Sequence, residues 1–167
     1  MECIMQFSLF KYFDAILDGV EQNGLAALEQ PEVKKALAEL DSFLPSLSNI
    51  AKLVFSYFYV YTEKGSPFSI LDVETNLGTE NLYLRYEKDW QRLLELGLLD
   101  KTPDGKFVMP KKVMDAVAII DMEYYFPQEK PPLISAEHKK EVFWRLVHDK
   151  DLDFRWREMY ERGEVCK

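Results

Sequence analysis

Between residues 6 and 28, Phe7, Phe10, Phe13, Ile16, Leu17 and Val20 recur at three-to-four spacing, which puts them on one face of a helix. Gly24 is the residue most apt to interrupt it. Pro31 then stands where a helix can begin without losing a needed donor, and "PEVKKALAELDSFL" carries Val33, Ala36, Leu37, Leu40 and Leu44 at helical period, with Pro45 as the stop. The two stripes predict a helical pair packed against each other or against a partner subunit.

A third helix is predicted through "NIAKLVFSYFYVYTEKG", capped by Ser48 and closed by Gly65, with Ile50, Leu53, Val54, Tyr57, Phe58 and Tyr61 as its buried stripe. Ser69 caps a short helix holding Ile70, Leu71, Val73 and Leu77, which Gly78 closes. Thr79 is expected to cap the next helix, in "ENLYLRYEKDWQRLLELGLLDKTPDGKFVMP", which runs on into a hairpin turning at Pro103, Asp104 and Gly105. Pro110 opens a further helix, "PKKVMDAVAII", and "FPQEKPPLI" reads as a linker. Ser135, with Glu137, starts a last helix bearing Val142, Phe143, Leu146 and Val147 on one face, continuing into "FRWREMYERGEV". The division that follows is a helical pair (1–47), a core (48–120), a linker (121–134) and a C-terminal helical segment (135–167).

Composition agrees with a helical chain. Only seven glycines and eight prolines punctuate the 167 residues, too few for an all-β chain with frequent turns. The net charge of -8 opposes polyphosphate binding unless positive charge is locally concentrated. It is least acidic in the middle: residues 51–112 carry nine acids and nine bases, against eight and three in 1–50 and twelve and nine in 113–167. Cys3 and Cys166, the only cysteines, read as free thiols in a reducing, cytoplasmic compartment. The most apolar run, "LVFSYFYVY", is too short to span a bilayer and reads as a buried helix, and the N-terminus has no signal-peptide pattern.

Helix, short helix, helix and then the hairpin "LLDKTPDGKFVMP" resembles the winged helix-turn-helix superfamily, as does the Leu-x-x-x-Gly-Leu-Leu step of "LLELGLLDK" into the wing. The resemblance covers residues 50–117. Two helices before the unit and one or two after it are similar in layout to dimeric MarR-type regulators, and that layout implies a homodimer or protein interface through the flanking helices. The hairpin here is short and lacks the Asp-x-Arg motif such regulators carry. Winged helices also serve protein assembly, in proteasome-lid-like and endosomal-sorting-like subunits or at the N-termini of larger ATPases.

On one continuous helix, Asn81, Arg85, Lys88 and Arg92 recur at four, three and four and project from one side, opposite Leu82, Tyr86, Trp90, Leu93 and Leu94. Such a stripe suits major-groove reading, in which Arg pairs with guanine and Asn with adenine, while Lys101 and Lys106 on the wing, with Lys111 and Lys112 beyond it, reach phosphates. Glu80, Glu87, Asp89 and Glu95 on the same helix argue the other way, because a mixed-charge helix is most often a solvated face.

No catalytic constellation stands out. His138 and His148 lie together in the C-terminal segment, away from any paired nucleophile, and no glycine-rich phosphate loop occurs. Asp149, Asp151 and Asp153 alternate as in a calcium loop but lack its glycine and closing glutamate, and His138 with Glu141 is a single surface pair. Tyr57, Phe58, Tyr59 and Tyr61 surround one helix and belong in a core. Trp144, Arg155 and Trp156 mark a partner or dimer surface, since Trp and Arg concentrate binding energy. The sequence thus predicts a mainly α protein with a small β hairpin, a winged helix-turn-helix core flanked by N- and C-terminal helices. Its expected role is double-stranded DNA binding in transcription regulation, without enzymatic activity, metal, cofactor or membrane contact. The alternative is a protein-interaction module with no nucleic-acid role.

Overall fold

Helix α1 (Phe10–Asn23) lays Phe13, Ile16, Leu17 and Val20 against the molecule, each 1% exposed or less. The computed structural model describes residues 10–44, 47–61, 66–122 and 139–148, so Phe7 lies outside the described residues. Gly24, at φ +70, ends α1 and turns the chain into a 3₁₀ segment, Gly24–Glu29. Helix α2 (Pro31–Leu40) follows with Pro31 in its first turn and Val33, Ala36, Leu37 and Leu40 buried. The two helices pack on each other and on the third, so both predicted stripes close the chain's own core. Gly19 permits the approach: a Cβ there would stand 2.8 Å from Val33 Cγ2.

Helix α2 stops earlier than expected. Ser42 Oγ donates to Glu39 O at 2.7 Å, a local bond that competes with the helix, and the Asp41 carboxylate pairs with Lys52 Nζ of the next helix at 2.8 Å. The turn that follows buries Phe43 and Leu44.

Helix α3 (Asn49–Tyr61) begins at the predicted cap, with Ser48 Oγ accepting from Ala51 N at 3.1 Å. A single buried stripe understates it. Residues 50–58 are all buried because α1, α2 and α6 cover different sides, and at the far end Tyr61, at 39% exposure, reaches out, donating to Glu21 Oε1 at 2.9 Å. Lys52 is buried with its ammonium on Asp41, and Ser56 Oγ donates back to Lys52 O at 2.7 Å.

Helix α4 (Ile70–Leu77) has the predicted Ser69 cap, reinforced as a capping box: Asp72 N donates to Ser69 Oγ and Ser69 N to Asp72 Oδ2, both at 3.1 Å. Gly78, at φ +68, closes it. The predicted helix beyond is two pieces, α5 (Leu82–Arg85) and α6 (Glu87–Glu95). Thr79 does not cap either; it is buried, and Asn81 takes the capping position of α5 in a left-handed conformation. The reason lies in α4, where Glu74 Oε2 accepts from Asn81 N at 2.9 Å and holds the chain in a turn two residues longer than expected.

Strands β1 (Asp100–Lys101) and β2 (Phe107–Val108) form one antiparallel hairpin, pairing Asp100 with Val108 and Lys101 with Phe107. Gly105, at φ +83, supplies its tight turn, and Thr102 Oγ1 accepts from Lys106 N at 3.0 Å. A second pairing was not predicted. Phe68 and Phe107 exchange both backbone hydrogen bonds at 2.8 Å, so the segment before α4 lies beside the hairpin as a one-residue third member. Helix α7 (Lys111–Met122) starts after Pro110, carries on two residues past the boundary expected at 120, and buries Val113, Ala116, Val117 and Ile120. Helix α8 (Lys139–His148) packs on α7 and sends Phe143 edge-on to Phe43, with ring centroids 5.2 Å apart. The protein is mainly α with one small β hairpin.

Candidate binding face

An aromatic cluster holds α3, the Phe68 bridge, α6 and the hairpin in one frame. Trp90 meets Phe107 at 5.1 Å, Tyr83 at 5.4 Å and Phe58 at 6.2 Å between ring centroids, while Phe68 meets Tyr57 at 5.4 Å. These edge-to-face contacts bury α6 by its Trp90 and Leu93 side and turn its other side outward. At the first turn of α6, Asp89 accepts from Ser48 Oγ, tying it to the start of α3.

The predicted stripe does not lie along one helix. Tyr86, at φ -129 and ψ 36, separates Asn81 and Arg85 from Lys88 and Arg92. Asn81 is exposed at φ 59. Arg85 folds over the neighbouring Tyr86 ring, 5.3 Å from its centroid. Lys88 is exposed one turn before Arg92, which faces Glu95 at 3.7 Å. On the hairpin, Lys101 lies 5.8 Å above the Phe107 ring and Lys106 reaches Asp104 at 4.0 Å. Beyond it Lys111 pairs with Asp115 at 2.8 Å, and Lys112 is exposed. Arg85, Lys88 and Lys101 make no ion pair among the described residues.

Acids interleave with these cations. Asp72 has its carboxyl held below the usual range by hydrogen bonding to the backbone and side chain of Ser69, with help from the charge of Lys106 on the hairpin. Asp104 is held low mainly by the hydrogen bond from Thr102. Two large apolar side chains also stand out on this part of the molecule: Leu71 of α4 is 71% exposed and Leu84 of α5 is 75% exposed.

Elsewhere, a cleft of about 410 Å³ opens between α1 and the start of α2, lined by Lys11, Asp14, Asp18, Gln30 and Glu32 among others. Partial burial, and then the charge of Asp18, raise the carboxyl of Asp14. Among the described residues no group of three or more His, Cys, Asp or Glu is arranged to hold a metal ion, and no helix is long and apolar enough to cross a membrane.

Of the predicted partner-binding residues, Trp144 is half-buried, stacked on His148 at 6.0 Å and edge-on to Phe143 at 5.3 Å. Arg155 and Trp156 lie outside the described residues, as do Cys3, Cys166, His138, Asp149, Asp151 and Asp153. Sequence reasoning missed the Phe68 bridge and the tie from Glu74 to Asn81. Pro67 and the "SPF" run were a faint signal of extended chain for the first; the second joins residues seven apart across a turn and has no periodic signature.

No family model matches the chain, and neither the curated proteins nor the solved structures contain a match to it.

Proposed function

We propose that the unit from α3 to α7 is a winged helix-turn-helix whose task is to hold another protein. Its element order supports the first part: α3, the one-residue Phe68 bridge, α4, the α5–α6 pair and the β1–β2 hairpin follow one another as helix, bridge, helix, helix and wing. The break at Tyr86 carries the second part. It divides the helix that would lie along a groove into two short pieces and leaves Leu84 exposed beside Arg85 and Tyr86. Tyr and Arg beside an apolar side chain are the residue types in which interface energy concentrates. The acidic chain, at a net -8, also suits a protein partner better than a polyanion.

Double-stranded DNA is the second reading, in a transcriptional regulator. One observation favours it: Arg85, Lys88 and Lys101 have no carboxylate partner among the described residues, and exposed pairs such as Arg92 with Glu95 hold their cations only weakly. A single titration separates the readings. Fluorescence anisotropy of random duplex DNA at low and moderate salt is expected to show no salt-sensitive binding. A slope of about -3.6 in log affinity against log salt, as for four neutralised phosphates, would overturn the protein-holding reading. A loss of that binding in Arg85→Ala and Lys88→Ala would assign it to this face.

A further inference from the structure

The chain from 82 to 95 contains neither glycine nor proline, and its apolar positions keep helical period throughout. Yet it forms two helices. The interruption is one residue wide, and the hydrogen-bond ladder reaches it from both sides: Tyr86 N donates to Leu82 O at 3.1 Å, and Trp90 N donates to Tyr86 O at 3.4 Å. The i to i-4 register of a single helix is therefore already present on either side of Tyr86.

The two pieces differ in how firmly they are held. Helix α6 is fixed by buried Trp90 and Leu93 and by the link from Asp89 to Ser48. Helix α5 is held by buried Leu82 and by half-buried Tyr83, which lies 5.4 Å from Trp90 and 6.1 Å from Phe107 between ring centroids, while Leu84 and Arg85 are exposed. Its near end is Asn81, the only non-glycine residue with positive φ among those described. In the bent form the amides of Glu87 and Lys88 open α6 and have no partner within it. Rotation of Tyr86 into helical φ and ψ would pair them with the carbonyls of Tyr83 and Leu84.

We propose that residues 82–95 are a two-state element with Tyr86 as its pivot, exchanging between the bent form and one continuous helix. The two states offer different surfaces. Closure brings Arg85, Lys88 and Arg92 to one side, since positions three and four apart share a helix face, whereas the bend keeps Arg85 apart from the other two. The switch lies in the backbone of this segment and is the same whichever partner the module takes.

The test uses the full chain without any partner, by NMR. Tyr86→Leu, which keeps apolar bulk and favours helix, is expected to move the Cα shifts of residues 85–88 to helical values. Amide exchange at Glu87 and Lys88 should slow by about tenfold, as the closed population grows. Tyr86→Gly should move both readouts the opposite way, and Asn81→Gly, which relieves the left-handed turn without touching the pivot, should leave them in place. Unchanged Trp90 indole resonances confirm that each variant keeps the core, and Tyr86→Ala serves in place of any that loses it. Identical shifts and exchange at residues 85–88 in wild type, Tyr86→Leu, Tyr86→Ala and Tyr86→Gly would overturn the proposal.

Discussion

Ser48 and Asp89, 41 positions apart, are joined by a hydrogen bond from Ser48 Oγ to the Asp89 carboxylate, while the same Oγ accepts from Ala51 N. One hydroxyl thus caps α3 and fixes the first turn of α6 to it. Ser48→Ala is expected to cost about 1–2 kcal/mol, the upper part of the range for a lost cap. In an isolated cap aspartate serves as well as serine, but here Ser48→Asp would bring a second carboxylate against Asp89. Urea denaturation should therefore find Ser48→Asp no more stable than Ser48→Ala; wild-type stability in Ser48→Asp would mean that the link to Asp89 contributes nothing.

Tyr57 is fully buried and its hydroxyl accepts from Asn76 Nδ2 at 2.7 Å, whereas Asn76 is exposed. Losing one partner is not equivalent to losing the other. Tyr57→Phe lets the amide return to water and should cost about 1 kcal/mol, while Asn76→Ala strands a buried hydroxyl and should cost about 1–3 kcal/mol. The double variant should be close to Tyr57→Phe alone. Additive losses in chemical denaturation would contradict this account.

The Lys52 side chain is 6% exposed and its partner Asp41 is 51% exposed, at 2.8 Å. Removing the carboxylate leaves an ammonium in the core, so Asp41→Ala should destabilise by about 1–3 kcal/mol, below the full cost for a completely buried pair because water still reaches this one. Lys52→Met removes the charge together with its need for a partner and should be near neutral. If thermal melts rank Lys52→Met as the worse of the two, the pair is a net stabiliser.

Tyr61 has its pKa raised to about 12, first by burial and then by the hydrogen bond it donates to Glu21. The folded state holds this proton more tightly than the unfolded chain, whose tyrosine titrates near 10. Its contribution to stability is therefore fully present below pH 10 or so and is lost as pH rises towards 12 or so. Tyr57, raised mainly by burial, acts in the same direction. Stability of wild type should fall across that window, and Tyr61→Phe should fall less steeply; parallel curves would show that Tyr61 is not responsible.

Gly19 sits inside a helix, where alanine is ordinarily better by about 1 kcal/mol. Here the added Cβ would meet Val33 Cγ2 at 2.8 Å and Ala27 Cβ at 3.3 Å, and a buried β-branched side chain has little room to yield. Gly19→Ala should destabilise by about 1–3 kcal/mol through overpacking. Combining it with Val33→Ala should return part of that loss, which calorimetry can measure; stabilisation by Gly19→Ala alone would refute the clash.

Much of this architecture was readable from local chemistry. The apolar spacing in α1 and α2, the start of α7 after Pro110, the caps at Ser48 and Ser69, the stops at Gly24 and Gly78 and the turn at Gly105 each depend on residues within one turn of each other. Those signals sufficed for a mainly α chain with a small hairpin. They failed where a distant contact outweighed local preference. Period alone predicted one helix after Thr79, but Glu74 captures the Asn81 amide and Tyr86 leaves the helical conformation.

The candidate face shows the same division. Which residues are charged, and that Arg85, Lys88 and Arg92 share a helical period, is a property of the sequence itself. Whether they stand on one surface depends on a single backbone residue between two helices, and no pattern of neighbours encodes it. The covering of α3 on several sides, the seat of Phe43 against Phe143 and the pairing of Phe68 with Phe107 are likewise contacts between distant segments. Periodicity records which face of a helix is apolar. Only packing decides what that face meets, because burial is settled by the surfaces the whole chain brings together.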